Sequence, residues 1–234
     1  MNKLKAFIED CKYYDIEQIE VKNILKYLKK DYSILDIGAG IGRLSFPLSN
    51  YAKEIIALDN DKRLSTYFRK HKRKNIKFIS MNVKDYLKKQ NNFNMYILAW
   101  PVIDFKLINL IGKYLPKDSI FILITCNNNS DYETIIKKLT KKYFKKETNN
   151  KKRFMKLLTK KFSLIREQDI NTEYIYPDEK TAFRVLKNAM KLWFNLRFNK
   201  KIENRLKEII NHHKKNKKII FGEKIYFYVL KKKK

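Results

Sequence analysis

ILDIGAGIGRLSFPLSNYAKEIIALDND, residues 34–61, reads as a strand, a glycine turn, a helix and a second strand. Ser33–Ile37 is a short apolar run of the kind that forms a buried strand. It leads straight into Gly38, Gly40 and Gly42. Glycine tolerates the backbone of a tight turn and lets a ligand approach without Cβ clashes. The helix expected over Gly42–Tyr51 would offer its unpaired N–H groups at the same place. Glu54–Leu58 is the next buried strand, and Asp59 ends it, 21 residues after Gly38.

The alternation continues outward. Strands are expected at Ile76–Ser80, Phe93–Ala99 and Ser119–Cys126, with helices at Lys62–His71, Ile103–Leu115 and Asp131–Phe144. Strands separated by helical patterns imply βαβ units and a parallel sheet. Their near-continuous apolar character implies that both faces are covered. Residues 1–30 form a leading helical segment, with apolar periodicity over Ile16–Leu28. Phe162–Tyr176 is a long strand, broken by Pro177, and Ile219–Leu230 is the last strand before a lysine tail. Residues 179–215 are a helical insert between these last two strands. The expected fold is therefore α/β, with a doubly wound, mostly parallel seven-stranded sheet in a single domain of residues 1–234.

The glycine spacing separates two kinds of ligand. A dinucleotide fingerprint, GxGxxG, would place its third glycine at position 43, which here is Arg43. An acidic residue at the end of the second strand can accept both hydroxyls of a ribose. Composition excludes other classes. Cys11 and Cys126 have no CxxC partner, so neither a zinc site nor a disulfide framework is implied. The N-terminus lacks the apolar core of a signal peptide, and no run approaches membrane-spanning length, so the expectation is a soluble cytoplasmic protein without a membrane partner. No Ser-His-Asp or metal-binding pattern is readable, and His71, His212 and His213 lie in lysine-rich helical stretches. The catalytic group stays unassigned.

Residues 34–61 resemble the first two motifs of class I S-adenosylmethionine-dependent methyltransferases: an acidic residue, GxGxG, and an acid ending the second strand. The resemblance runs in order and spacing from about Asn23 to Cys126, and more loosely through the last two strands. It implies a Rossmann-like methyltransferase fold, with S-adenosylmethionine as methyl donor, S-adenosylhomocysteine as product and no metal. Asp36 would contact the methionine part of the donor. Gly38, Ala39, Gly40 and Gly42 would form the loop beneath it. Asp59 would hold the ribose, with Asn60 beside the adenine. Asn82 and Val83 would meet the adenine ring, with Asp85 as the alternative acid. Ala99-Trp100-Pro101 would face the reactive methyl. Family members acting on the amino groups of bases often carry Asn/Asp-Pro-Pro-aromatic here, and this chain does not.

Three functions compete. A small-molecule methyltransferase is favoured, with residues 179–215 as a candidate lid and Trp100, Tyr14, Tyr174 and Tyr176 as acceptor-side candidates alongside Tyr13. An RNA or other nucleic-acid methyltransferase would use the net charge of +30, from 54 Lys and Arg against 24 Asp and Glu. Lys137–Lys161, interleaved with Tyr143, Phe144, Phe154 and Phe162, would then be the contact region. The same charge also fits a lysine-biased composition. A non-catalytic module that kept the donor fold is the third reading.

Overall fold

The computed structural model describes residues 3–90, 92–100, 105–126, 130–140 and 148–233. Pro101, Tyr143 and Phe144 lie outside them. The chain forms two compact units. One comprises Glu20–Cys126, Thr148–Ile170 and Tyr226–Lys234, and the other Met1–Ile19, Asn127–Glu147 and Asn171–Ile225.

The first of these holds the sheet expected from the sequence. β1 (Ser33–Ile37), β2 (Glu54–Asp59), β3 (Ile76–Ser80), β4 (Met95–Ala99) and β5 (Ile120–Cys126) alternate with α3 (Ser45–Leu48), α4 (Leu64–Lys70), α5 (Val83–Lys89) and α6 (Phe105–Tyr114). Neighbours in the order β3-β2-β1-β4-β5 pair in parallel. β6 (Phe162–Tyr176) and β8 (Lys218–Lys232) each pass through both units, and the strand order ends β5-β8-β6. The last two strands are thus neighbours at one edge. A two-residue strand, β7 (Lys214–Lys215), pairs antiparallel with β8 and makes the sheet eight-stranded rather than seven-stranded. It arises because Asn216 and Lys217 both take positive φ, the backbone of a tight two-residue hairpin turn.

Both faces of the sheet are buried in this unit, and its largest cluster lies on one of them. Leu35, Ile37, Leu58, Tyr96, Leu98, Phe121 and Leu123 pack against Leu87, Ile108, Ile111 and Leu158. Leu158 belongs to α8 (Thr148–Lys161), which lies against α6. Phe162 is 1% exposed and packs on Phe121 with ring centroids 5.4 Å apart, so it offers no face to a stacked base. At the head of the sheet, the Asn94 side-chain oxygen accepts the Ser33 N–H at 2.8 Å and ties β1 to β4.

The other unit has its own core, built from α7 (Asp131–Thr140), α9 (Glu179–Phe194), α10 (Lys200–His212) and the adjoining ends of β6 and β8. α1 (Lys3–Cys11) packs on α9. The helical insert is two helices, because Asn195 takes the left-handed conformation that ends α9. Ala182, Val185, Leu186 and Met190 face Ile135, Ile136, Leu139, Leu206, Ile209 and Phe221. The apolar face that suggested a lid is therefore spent inside this unit. Trp193, by contrast, is half exposed and donates its Nε1–H to Asp10 at 3.2 Å. Replacing 179–215 by a linker would remove a core, not only a cover. Asn199 caps α10 by accepting the Ile202 N–H at 3.0 Å. Asn199→Ala should cost about 1 kcal/mol, read as a lowered denaturation midpoint.

Candidate functional site

The parallel register brings the carboxyl ends of β1, β2, β4 and β5 level. Ile37 lies beside Leu58 on one side and Leu98 on the other, and Ala99 lies beside Ile124. Open α/β sheets bind ligands in the crevice outside these ends.

The glycine loop sits there. Gly38, Gly40 and Gly42 have φ of 71°, 55° and 77°. The N–H groups of Gly38 and Ala39 both donate to the Leu58 carbonyl, at 2.8 and 3.0 Å, which anchors the loop across β2. A Cβ on Gly38 would meet nothing within 4 Å. Gly42 differs. A Cβ there would lie 2.7 Å from the Phe46 ring and 2.9 Å from Phe68. Gly38 thus serves open space, and Gly42 serves packing.

Asp59 ends β2 with one oxygen on the Gly40 N–H at 3.0 Å and the other on the Asp61 N–H at 2.9 Å. Its carboxylate is therefore fixed against the loop. Asp36 is buried, and the Ser45 hydroxyl donates to it at 2.5 Å. Burial pushes its carboxyl up to about 6; the Ser45 hydrogen bond and the Arg43 charge oppose that rise, and Asp59 adds to it. Asn60 is exposed. Asn82 caps α5, its side-chain oxygen accepting the Lys84 N–H at 2.9 Å. That oxygen, expected on an adenine amino group, is thus engaged by the helix. Val83 begins α5, where helix geometry leaves the first N–H without an intrahelical acceptor. Asp85 lies in the first turn of α5.

Trp100 follows Ala99 at the end of β4, with φ of 54°. Its backbone N–H donates to Ile124 at 2.9 Å, and its indole N–H donates to Glu20 at 2.9 Å. Glu20, on α2 (Ile19–Leu25), also receives Arg43 at 2.6 Å. Sequence reading missed Glu20 and gave Arg43 no role. Arg43 and Trp100 are 23 and 80 positions from Glu20, and no local pattern joins the three.

The four tyrosines gather within the other unit. Tyr14 bridges to Tyr174, and their rings lie 4.8 Å apart. Tyr13 packs on Tyr176 at 5.1 Å. Tyr14 and Tyr176 are buried, and the Tyr14 hydroxyl is hydrogen-bonded to Thr172 at 3.0 Å. These two sides of the cluster act as packing. His71 stacks on Tyr67, and His213 packs at a tilt on Phe221. Among the described residues, no group of three or more His, Cys, Asp or Glu is placed to hold a metal, and no helix is long and apolar enough to cross a membrane.

An adenosyl donor fits this donor set. The space beside Gly38 is open, an acid stands at the end of β2, and α5 starts with an N–H that has no intrahelical acceptor.

A methyltransferase-domain family model matches residues 28–216, from just before β1 to β7. No curated protein sequence matches the chain. Among solved structures, a Bacillus halodurans protein described as a methyltransferase aligns over 92% of this chain and 99% of its own, at 12% identity and TM-score 0.58. The YcgJ protein of Bacillus subtilis aligns over 92% and 98%, at 14% identity and TM-score 0.56. A precorrin-6Y C5,15-methyltransferase of Geobacter metallireducens aligns over 94% and 91%, at 12% identity and TM-score 0.55. At such identities the likeness is one of fold. The family-model match, which spans most of its length, places the chain in the class I S-adenosylmethionine-dependent methyltransferase family.

Proposed function

We propose that this chain transfers the methyl group of S-adenosylmethionine to a small-molecule acceptor and releases S-adenosylhomocysteine. The observation that carries the reading is the glycine loop. Its three left-handed glycines present backbone to open space at Gly38, and Asp59 is held beside them. Bound donor would supply an activated sulfonium methyl, so the protein's task is alignment and exclusion of water. Asp36 would act on the methionine end, through Ser45 or a water given its burial. Gly38, Ala39, Gly40 and Gly42 would carry the donor. Asp59 would exchange its Gly40 contact for the ribose hydroxyls, with Asn60, Asn82 and Val83 around the adenine. Ala99 and Trp100 would border the methyl.

The small-molecule reading draws support from the basic surface itself. Lys187, Lys191 and Lys207 lie over the Phe183 and Phe198 rings, so their faces are already covered by ammonium groups. A single-strand binding surface uses open aromatic faces for base stacking.

Calorimetry with S-adenosylhomocysteine and NADH tests the donor, and only the first should bind. Asp59→Ala should weaken that binding by about 1.5–3 kcal/mol, the scale of a hydrogen bond to a charged group. Tight NADH binding, or an Asp59→Ala variant that binds as the parent does, would sink the assignment. Labelled donor incubated with a metabolite extract and with small RNA tests the acceptor. Label in RNA, with affinity falling steeply with salt, would overturn the small-molecule reading. Binding without label in either fraction would favour a non-catalytic module.

A further inference from the structure

We propose that Glu20 is a positioning residue for methyl transfer, a buried latch that fixes Trp100 and Arg43 at the mouth of the donor crevice. The proposal rests on the donor reading above.

The Glu20 side chain is 0% exposed. A carboxylate out of water is costly unless it is paired and hydrogen-bonded. Here each oxygen has a different task. Oε2 accepts Arg43 Nη2 at 2.6 Å, and Oε1 accepts Trp100 Nε1 at 2.9 Å. Arg43 is the residue immediately after the glycine loop, and Trp100 immediately follows β4. One buried anion therefore ties the exit of the loop to the end of the neighbouring strand.

Trp100 needs such a tie. A bulky residue at φ 54° is strained and persists only where its surroundings hold it. The Ile124 carbonyl holds its backbone N–H, and Glu20 holds the far end of its indole. Fixed at both ends, the ring keeps one orientation beside Ala99. A buried ion pair is often no more stable than apolar packing of the same volume, and its better-attested benefit is specificity of arrangement. That benefit fits the rim of a site where a small misplacement slows the reaction.

The test uses the full chain with Trp193→Phe, which leaves Trp100 as the one tryptophan of the two. Glu20→Gln keeps an oxygen for the indole and removes the charge. Glu20→Ala removes both. Trp100→Phe keeps a ring and removes the N–H, and it guards against a Glu20→Ala variant that fails to fold. In ligand-free protein, Glu20→Ala should shift Trp100 emission to longer wavelength and raise its quenching by acrylamide. Glu20→Gln should restore most of the parent spectrum. S-adenosylhomocysteine should bind about tenfold more weakly to Glu20→Ala and to Trp100→Phe, the scale of one lost hydrogen bond to a charged group. Folded variants with parent-like emission overturn the latch. Parent-like affinity in both Glu20→Ala and Trp100→Phe overturns its role at the donor site. A parent that binds no S-adenosylhomocysteine defeats the donor reading instead, and the emission comparison still decides whether Glu20 orients Trp100.

Discussion

Gly42→Ala is expected to lower stability by about 2–5 kcal/mol. Left-handed backbone costs an L-residue about 1–2 kcal/mol, and forcing a methyl into a packed site costs about 1–3 kcal/mol. Both apply at Gly42. Its φ is 77°, and the added Cβ would lie 2.7 Å from Phe46 and 2.9 Å from Phe68. Neither ring yields easily. Phe46 stacks on Phe68 at 5.1 Å, and Phe68 stacks on Phe78 at 4.6 Å, so displacing one moves a column. Gly38→Ala is the control. Its φ is 71° but its Cβ would meet nothing, so only the backbone cost of about 1–2 kcal/mol applies. The two variants should therefore separate. Gly42→Ala should lose most in urea unfolding, while Gly38→Ala should lose most in S-adenosylhomocysteine binding, because its methyl enters the space proposed for the donor. A Gly42→Ala variant with the parent's unfolding midpoint would refute the packing role.

That contrast was not legible in the sequence, where the three glycines look alike. What was legible is the frame. β1, β2, β3 and β5 stand within a residue of the expected bounds because each is a short apolar run flanked by turn residues. β4 begins at Met95 rather than Phe93, since Asn94 turns aside to tie β1 and β4. The helix expected over Gly42–Tyr51 contracts to Ser45–Leu48, with Pro47 inside it and hydrogen-bonded turns on either side. α5 went unread because it has only seven residues, and just Tyr86 and Leu87 are buried. α8 went unread because lysines hide the apolar spacing that carries Leu158 into the core.

The candidate site divides the same way. Residues contiguous in sequence, Asp36 to Gly42, and those at strand ends, Asp59 and Ala99, could be found from local pattern. Glu20 could not. Its partners come from the glycine loop and β4, and only the parallel pairing of β1 with β4 brings those together. The apolar face that suggested a lid is explained in a related way. Apolar periodicity shows that a helix face is covered, but it does not show by what, and here α7 and α10 cover it.

Asp36→Asn is expected to raise stability by as much as about 3 kcal/mol at pH 8, with the gain shrinking toward zero near pH 4. The folded carboxyl titrates at about 6, against 3.8 for the free side chain, chiefly because burial disfavours its charge. Between those values the folded chain holds a proton that the unfolded chain has released. Stability therefore falls as pH rises through this window, and the full cost is present above about pH 6. The gap, at roughly 1.4 kcal/mol per pH unit, gives about 3 kcal/mol. An amide of the same shape carries no such cost, and its oxygen can still accept the Ser45 hydroxyl that now lies 2.5 Å from Asp36. Urea unfolding of both proteins from pH 4 to 8 measures the difference directly. The gain should come with a loss. If the carboxylate attracts the α-ammonium of the donor's methionine end, affinity for S-adenosylhomocysteine should strengthen in the parent as pH rises through 6, and the amide variant should bind more weakly without that dependence. A variant less stable than the parent at pH 8, or one whose stability and affinity follow the parent's pH profile, would show that Asp36 does not hold a costly charge for a ligand.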